Sequence, residues 1–208
     1  MSNLNNAEHA YSKSELHNIK WAIKRNFIYR KNNVDDQIFK HLSEVITKNI
    51  TFEVGLNIGC GFYTPYDKLM NKISMKTINI DTSLAVRLFR PMSSKRLKLS
   101  NTNWKYILGK INPQIIYCFH SFSFININWL NFVEYCNENK IKFCFDWSIA
   151  NSDNAETGIN RFCVNEGAND LLKILLKNKY NFYDLSNYEE TVSINSVSSG
   201  DRLIVNNF

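Results

Sequence analysis

The stretch Val54-Gly55-Leu56-Asn57-Ile58-Gly59-Cys60-Gly61-Phe62 decides how this chain is read. Val54, Leu56 and Ile58 are strand formers, and Gly59 and Gly61 supply a sharp turn where backbone can approach a ligand with no Cβ in the way. Thr64-Pro65-Tyr66-Asp67 follows as a helix start, with Thr64 as N-cap, Pro65 at the first helical position and Asp67 placed to close a capping box. Strand, glycine turn and capped helix together form a nucleotide-binding corner.

Leu69, Met70 and Ile73 give that helix its apolar side, and Lys76-Thr77-Ile78-Asn79-Ile80-Asp81 reads as the second strand, ending in a carboxylate. Gly61 and Asp81 are 20 residues apart, the distance that one helix and one returning strand require in a βαβ unit, so the carboxylate is expected beside the glycine turn. Further on, residues 83–89 read as a helix broken by Pro91, and Leu97-Lys98-Leu99-Ser100-Asn101 as a short edge strand. Residues 114–120 form a continuous apolar run ending in polar residues, as expected of a central parallel strand buried on both faces. A helix over 128–139, a strand over 142–147, a polar loop over 148–165 long enough to shape a binding site, and a helix over 168–177 come next. Two strands, 181–185 and 201–206, close the chain.

Upstream of the corner, Ser12 to Glu15 make a capping box, and Leu16, Ile19, Ile23 and Phe27 recur at helical spacing, predicting a helix over 14–30. Asp35 or Asp36 caps a second helix reaching about residue 48, with Val34, Ile38, Leu42, Val45 and Ile46 on one face. Two N-terminal helices followed by alternating strands and helices predict an α/β fold, a doubly wound and mostly parallel sheet. Its ligand binds outside the carboxyl ends of the strands, where the strand order reverses.

Composition is consistent with one globular domain: 208 residues, 44% hydrophobic and 13% aromatic, are ample for a core. No apolar run approaches the roughly 20 residues that span a bilayer, and the first residues carry no signal-peptide core, so a cytoplasmic protein with no membrane partner is expected. The five cysteines are odd in number and never spaced as CxxC, which fits reduced thiols and no metal site. A net charge of +6, concentrated in residues 20–31 and 87–98, permits contact with nucleic acid or an anionic metabolite and requires neither.

The motifs resemble those of the class I S-adenosylmethionine-dependent methyltransferases over about residues 35–208. That family's hydrophobic strand and G-x-G match Leu56-Asn57-Ile58-Gly59-Cys60-Gly61, its acidic strand end matches Asp81, and its fourth motif matches the run closing at Cys118-Phe119-His120. The resemblance implies a seven-stranded sheet of order 3-2-1-4-5-7-6 with the last strand antiparallel. It implies a cofactor, S-adenosyl-L-methionine, whose methionine part is accommodated by Gly59, Cys60 and Gly61 and whose ribose hydroxyls bind Asp81. By the same carry-over Asn57 lies near the ligand's amino group, Asn101 near the adenine, and Cys118 and Phe119 line the pocket mostly through backbone. The family's usual acidic residue is replaced by Asn57, and the bulky Phe62-Tyr63 pair stands where a small residue is usual. A dinucleotide fingerprint would need a third glycine there, and a phosphate-binding P-loop would need GK[ST], which is absent.

Methyl transfer from a sulfonium is an in-line displacement, so the protein mainly orients the acceptor and, for a hydroxyl, supplies a base. His120 and Asp146, at the ends of the fourth and fifth strands, are the candidate catalytic groups; Tyr11 with His9, Tyr63 and Trp147 are candidates for the lid and substrate pocket. Residues 1–34 are read as a helical cap and 35–208 as one methyltransferase-like unit, with a small-molecule acceptor. Three other readings stay open: a non-methylating use of the sulfonium that releases methylthioadenosine, modification of RNA through the basic first helix with Trp21, Phe27 and Tyr29, and a non-catalytic binding module.

Overall fold

The computed structural model describes residues 19, 33–61, 65–89, 94–119, 121, 125, 127–148, 181–184 and 202–207. Helix α1 (Asn33–Thr47) puts Ile38, Leu42 and Val45 on one buried face at i, i+4 and i+7. Strand β1 (Phe52–Ile58) follows and is buried over its second half, Gly55 to Ile58. Pro65 opens helix α2 (Pro65–Ile73), in which Tyr66, Met70 and Ile73 turn inward. Strand β2 (Ser74–Asp81) runs beside β1 in parallel, with Leu56 opposite Ile78 and Asn57 opposite Asn79.

Next come helix α3 (Leu84–Phe89), strand β3 (Ser94–Arg96), helix α4 (Trp104–Ile111) and strand β4 (Ile115–Cys118). Helix α5 (Trp129–Glu138), strand β5 (Lys142–Ser148), strand β6 (Asn181–Asp184) and strand β7 (Arg202–Asn206) complete the order. The seven strands make one sheet ordered β3-β2-β1-β4-β5-β7-β6. All described pairs are parallel except those of β7, which runs antiparallel to both β5 and β6.

Two expectations need correction. The edge strand is Ser94–Arg96 and not residues 97–101, because the ladder pairs Asn79, Ile80 and Asp81 with Ser94, Lys95 and Arg96. Leu97 donates its N–H to the Asp81 carbonyl at 2.7 Å, ending the ladder, and Leu99 enters the core from a loop. Helix α4 was not expected, although Trp104, Ile107, Leu108 and Ile111 repeat at i, i+3, i+4 and i+7.

Alternate strand residues face opposite sides of the sheet, so the core has two layers. Ile116 and Cys118 pack with Leu56, Ile58 and Ile80 under α4 and α5, where Trp104 lies 5.3 Å from Phe132, centroid to centroid. Ile115, Tyr117 and Phe119 pack on the other face under α1 and α2. Each aliphatic side chain fully buried in these layers contributes about 1.5–3 kcal/mol. Helix ends are marked by Asn49, Asn112 and Lys140, all at positive φ; the Asn112 N–H closes on the Leu108 carbonyl at 2.7 Å, and the Ile141 N–H on that of Cys136 at 2.8 Å.

Helix α1 is tied to the far end of the sheet by a buried polar pair, in which the Asn206 amide Nδ2 donates to His41 Nε2 at 3.0 Å. Accepting that bond requires a neutral ring, and burial, with a smaller effect from Lys48, lowers the His41 pKa from 6.5 to about 4. Between those two values the unfolded chain takes up a proton that the folded chain refuses, so stability falls as pH falls through that window. The expected loss is up to about 3 kcal/mol. Urea titrations at pH 7.5 and pH 4.5 will show it, and His41→Gln will flatten this dependence even if it lowers stability at both pH values.

Candidate cofactor and active site

The carboxyl ends of β1 and β2 meet at the glycine turn. Gly59 and Gly61 both take left-handed backbone, φ 63° and 55°, which residues with a Cβ adopt only at a cost. The turn is tied to the neighbouring strand by two N–H donors, Gly59 and Cys60, which reach the Ile80 carbonyl at 2.9 and 3.2 Å. From the β4 side, the Ser121 hydroxyl donates to the Gly59 carbonyl at 2.7 Å. A Cβ built on Gly59 would stand 2.3 Å from Ser121 Cβ, so glycine is required there for space as well as for conformation.

Asp81 ends β2 beside this turn, as its spacing predicted. Its Oδ2 accepts the Gly61 N–H at 3.0 Å and its Oδ1 accepts the Ser83 N–H at 3.0 Å. The carboxylate is therefore clamped from both sides, and the residue is 5% exposed. A carboxylate oxygen carries two lone pairs, so it is able to accept a hydroxyl hydrogen bond alongside a backbone one. Among the described residues, a Cβ built on Gly61 would meet nothing nearer than the Gly59 carbonyl at 3.9 Å. A cofactor that presents a vicinal diol to Asp81 and lies against Gly61 fits these residues.

Asn57 does not face open space. Its Nδ2 donates to Asn79 Oδ1 at 2.8 Å across the β1–β2 ladder, and both residues are 4% exposed. A neutral amide pair thus occupies the position where an acidic residue would have added charge. Sequence reasoning missed Asn79, whose pairing with Asn57 is set by the register of β1 on β2.

The remaining candidates scatter. Cys60 is buried with Val86 of α3, and Ile19, a helical residue from the N-terminal region, packs against this cluster. Cys118 and Phe119 are buried on opposite sides of the sheet, with the Phe119 ring 5.6 Å from Tyr66. Only their backbone is left at the carboxyl end of β4. Asn101 is exposed, and its Oδ1 accepts the Asn128 N–H at 2.5 Å, tying the loop after β3 to the start of α5. Asp146 and Trp147 sit on β5 opposite Ile204 and Leu203 of β7. His120, Tyr63, Tyr11 and His9, the basic residues 20–31 and the loop 148–165 lie outside the described residues, apart from the backbone of Ser148.

Comparison of the whole fold with solved structures adds one finding. The plantazolicin methyltransferase BamL, solved in complex with a triazolic desmethylPZN analog and SAH, matches with a TM-score of 0.56 at 12% identity. The match covers 97% of this chain and 93% of that one. The chain has the class I methyltransferase fold. A putative methyltransferase from Thermobifida fusca YX shares this fold with a TM-score of 0.51 at 10% identity, over 93% of this chain and 88% of the other. No family model and no curated protein sequence matches. In this methyltransferase fold, the corner of Gly59, Gly61 and Asp81 lies at the carboxyl edge where β1 is flanked by β2 on one side and β4 on the other, the point at which the strand order reverses. Among the described residues no helix is long and apolar enough to cross a membrane.

Proposed function

We propose that the chain is an S-adenosylmethionine-dependent methyltransferase that methylates an oxygen or nitrogen atom of a small molecule. The observation that carries this reading is the clamped Asp81 carboxylate beside the left-handed Gly61, at the carboxyl ends of β1 and β2. S-adenosylmethionine, when bound, supplies an electrophilic methyl group on a sulfonium. Asp81 would hold the ribose hydroxyls, and Gly59 to Gly61 would accommodate the methionine part through backbone. Cys118 and Phe119 would border the pocket at the end of β4, and Asn101 the adenine side.

The acceptor would then need only orientation and, for a hydroxyl, removal of a proton. His120, two residues beyond β4, and Asp146 on β5 are the groups we assign to that proton. Residues 1–34, which include Ile19 packed against the Cys60–Val86 cluster, would close over the ligand, with Tyr11, Tyr63 and Trp147 toward the acceptor. Among the described residues, four cysteines are buried as thiols, which supports a reducing, cytoplasmic setting.

The neutral Asn57–Asn79 pair favours one second reading, in which another group of the sulfonium is displaced. Mass spectrometry of the coproduct separates the two. Incubation with S-adenosylmethionine and a panel of small oxygen and nitrogen nucleophiles is expected to yield S-adenosylhomocysteine with the acceptor heavier by one methyl group. Methylthioadenosine as the only coproduct would overturn methyl transfer and keep the cofactor.

A further inference from the structure

The positive charge of this chain is not spread over it. Residues 82–133 hold seven cations (Arg87, Arg90, Lys95, Arg96, Lys98, Lys105 and Lys110) and no Asp or Glu, so of the net +6 this segment carries +7 and the rest of the chain −1. Six of the seven are described, and all six are exposed. They are distributed over α3, the edge strand β3, the loop after β3, and α4.

The fold wraps this stripe around that edge. A right-handed crossover from β2 to β3 puts α3 on the same face as α2, while the crossover from β3 back to β4 puts α4 on the opposite face. The core layers agree, since α2 packs in one and α4 in the other. Arg87 thus lies on one face, Lys95, Arg96 and Lys98 follow the edge, and Lys105 and Lys110 lie on the other face. The stripe starts at the rim of the cofactor corner, where Arg96 Nε donates to the Thr82 carbonyl, next in chain to Asp81, at 3.1 Å. On α4, Lys105 Nζ sits over the rings of Trp104 and Tyr135 at 5.4 and 5.9 Å, and the neighbouring Tyr106 is 70% exposed.

A flat anionic surface could touch only one side of such a stripe at a time. A single-stranded polyanion can bend around it, and an exposed aromatic beside lysines is a stacking platform for an unpaired base. We propose that the α3–β3–α4 edge binds single-stranded RNA, with phosphates along the cations and a base on Tyr106. The contact lies on a surface outside the glycine corner and goes beyond the methyl-transfer reading, so it is tested with no cofactor present.

The experiment is fluorescence anisotropy with a labelled 20-nucleotide RNA of mixed sequence, titrated with the full chain at several salt concentrations. If all six described cations meet phosphate, the slope of log K against log salt approaches about −4. The variant K95Q/K98Q/K105Q/K110Q is expected to lose about tenfold or more in affinity at low salt and to flatten the slope by about 3. The equally charged control K48Q/K68Q/K72Q/K76Q, all exposed on the rest of the molecule, is expected to keep both. Equal losses in the two variants would mean that only net charge matters, and would overturn the proposal. So would a salt-insensitive wild type, tighter binding to phosphatidylserine vesicles or polyglutamate than to RNA, or a stripe variant that merely aggregates, as edge-strand lysines are also known to prevent self-association.

Discussion

Replacing Asp81 with alanine is expected to abolish S-adenosylmethionine binding while the sheet survives. Hydrogen bonds to a charged group contribute about 1.5–3 kcal/mol each, so losing two ribose hydroxyl contacts weakens binding by more than about a hundredfold. The same carboxylate also holds the Gly61 and Ser83 N–H groups, so Asp81→Ala should in addition loosen the turn. Asp81→Asn separates these roles, because an amide keeps one acceptor oxygen for the backbone but loses the charge and half the acceptor capacity. The expected order of affinity, measured by calorimetry, is wild type, then Asp81→Asn, then Asp81→Ala. Affinity unchanged in Asp81→Ala would remove this residue from the site.

The second large effect is a contrast between two glycines that look alike in sequence. Both have positive φ, which costs an alanine about 1–2 kcal/mol. At Gly59 the added Cβ also collides with Ser121, and overpacking of that kind typically adds 1–3 kcal/mol. Gly59→Ala should therefore destabilise by about 3 kcal/mol, visible as a lower urea midpoint, and adding Ser121→Gly should recover part of that by removing the overlap. At Gly61 no described residue stands in the way of the Cβ, so Gly61→Ala should cost only about 1–2 kcal/mol of stability. Its methyl group instead enters the side of the turn that faces Asp81, so ligand binding should suffer far more than folding. Equal stability losses in the two variants would contradict the assignment of the Ser121 collision to the first glycine alone.

Much of this corner was readable in advance because its chemistry is local. A strand that ends in G-x-G needs left-handed backbone, and a carboxylate 20 residues later is brought back by one helix and one strand, whatever packs around them. The edge of the sheet was less readable. Leu97 and Leu99 alternate as strand residues do, yet they point into the core from a loop, and the true ladder uses Ser94, Lys95 and Arg96, whose residue types carry no strand signal. Helix α4 contains Gly109, a poor helix former, and is preceded by Ser100-Asn101-Thr102-Asn103, a run that reads as loop. There Asn103 folds back on the chain, with Oδ1 accepting the Ser100 N–H and Nδ2 donating to the Lys98 carbonyl, and so delays the helix start. The Asn57–Asn79 pairing depends on strand register, which hydrophobic pattern alone does not specify on a sheet buried on both faces.

The cofactor is the hinge of the functional account, and one titration addresses it most directly. Calorimetry of the full chain with S-adenosylhomocysteine, which cannot turn over, is expected to give saturable one-to-one binding with a dissociation constant in the micromolar range, about −8 kcal/mol at 1 μM. Binding should be lost in Asp81→Ala. A flat trace with ligand at about 1 mM, a concentration that detects affinities near −4 kcal/mol, would contradict the account.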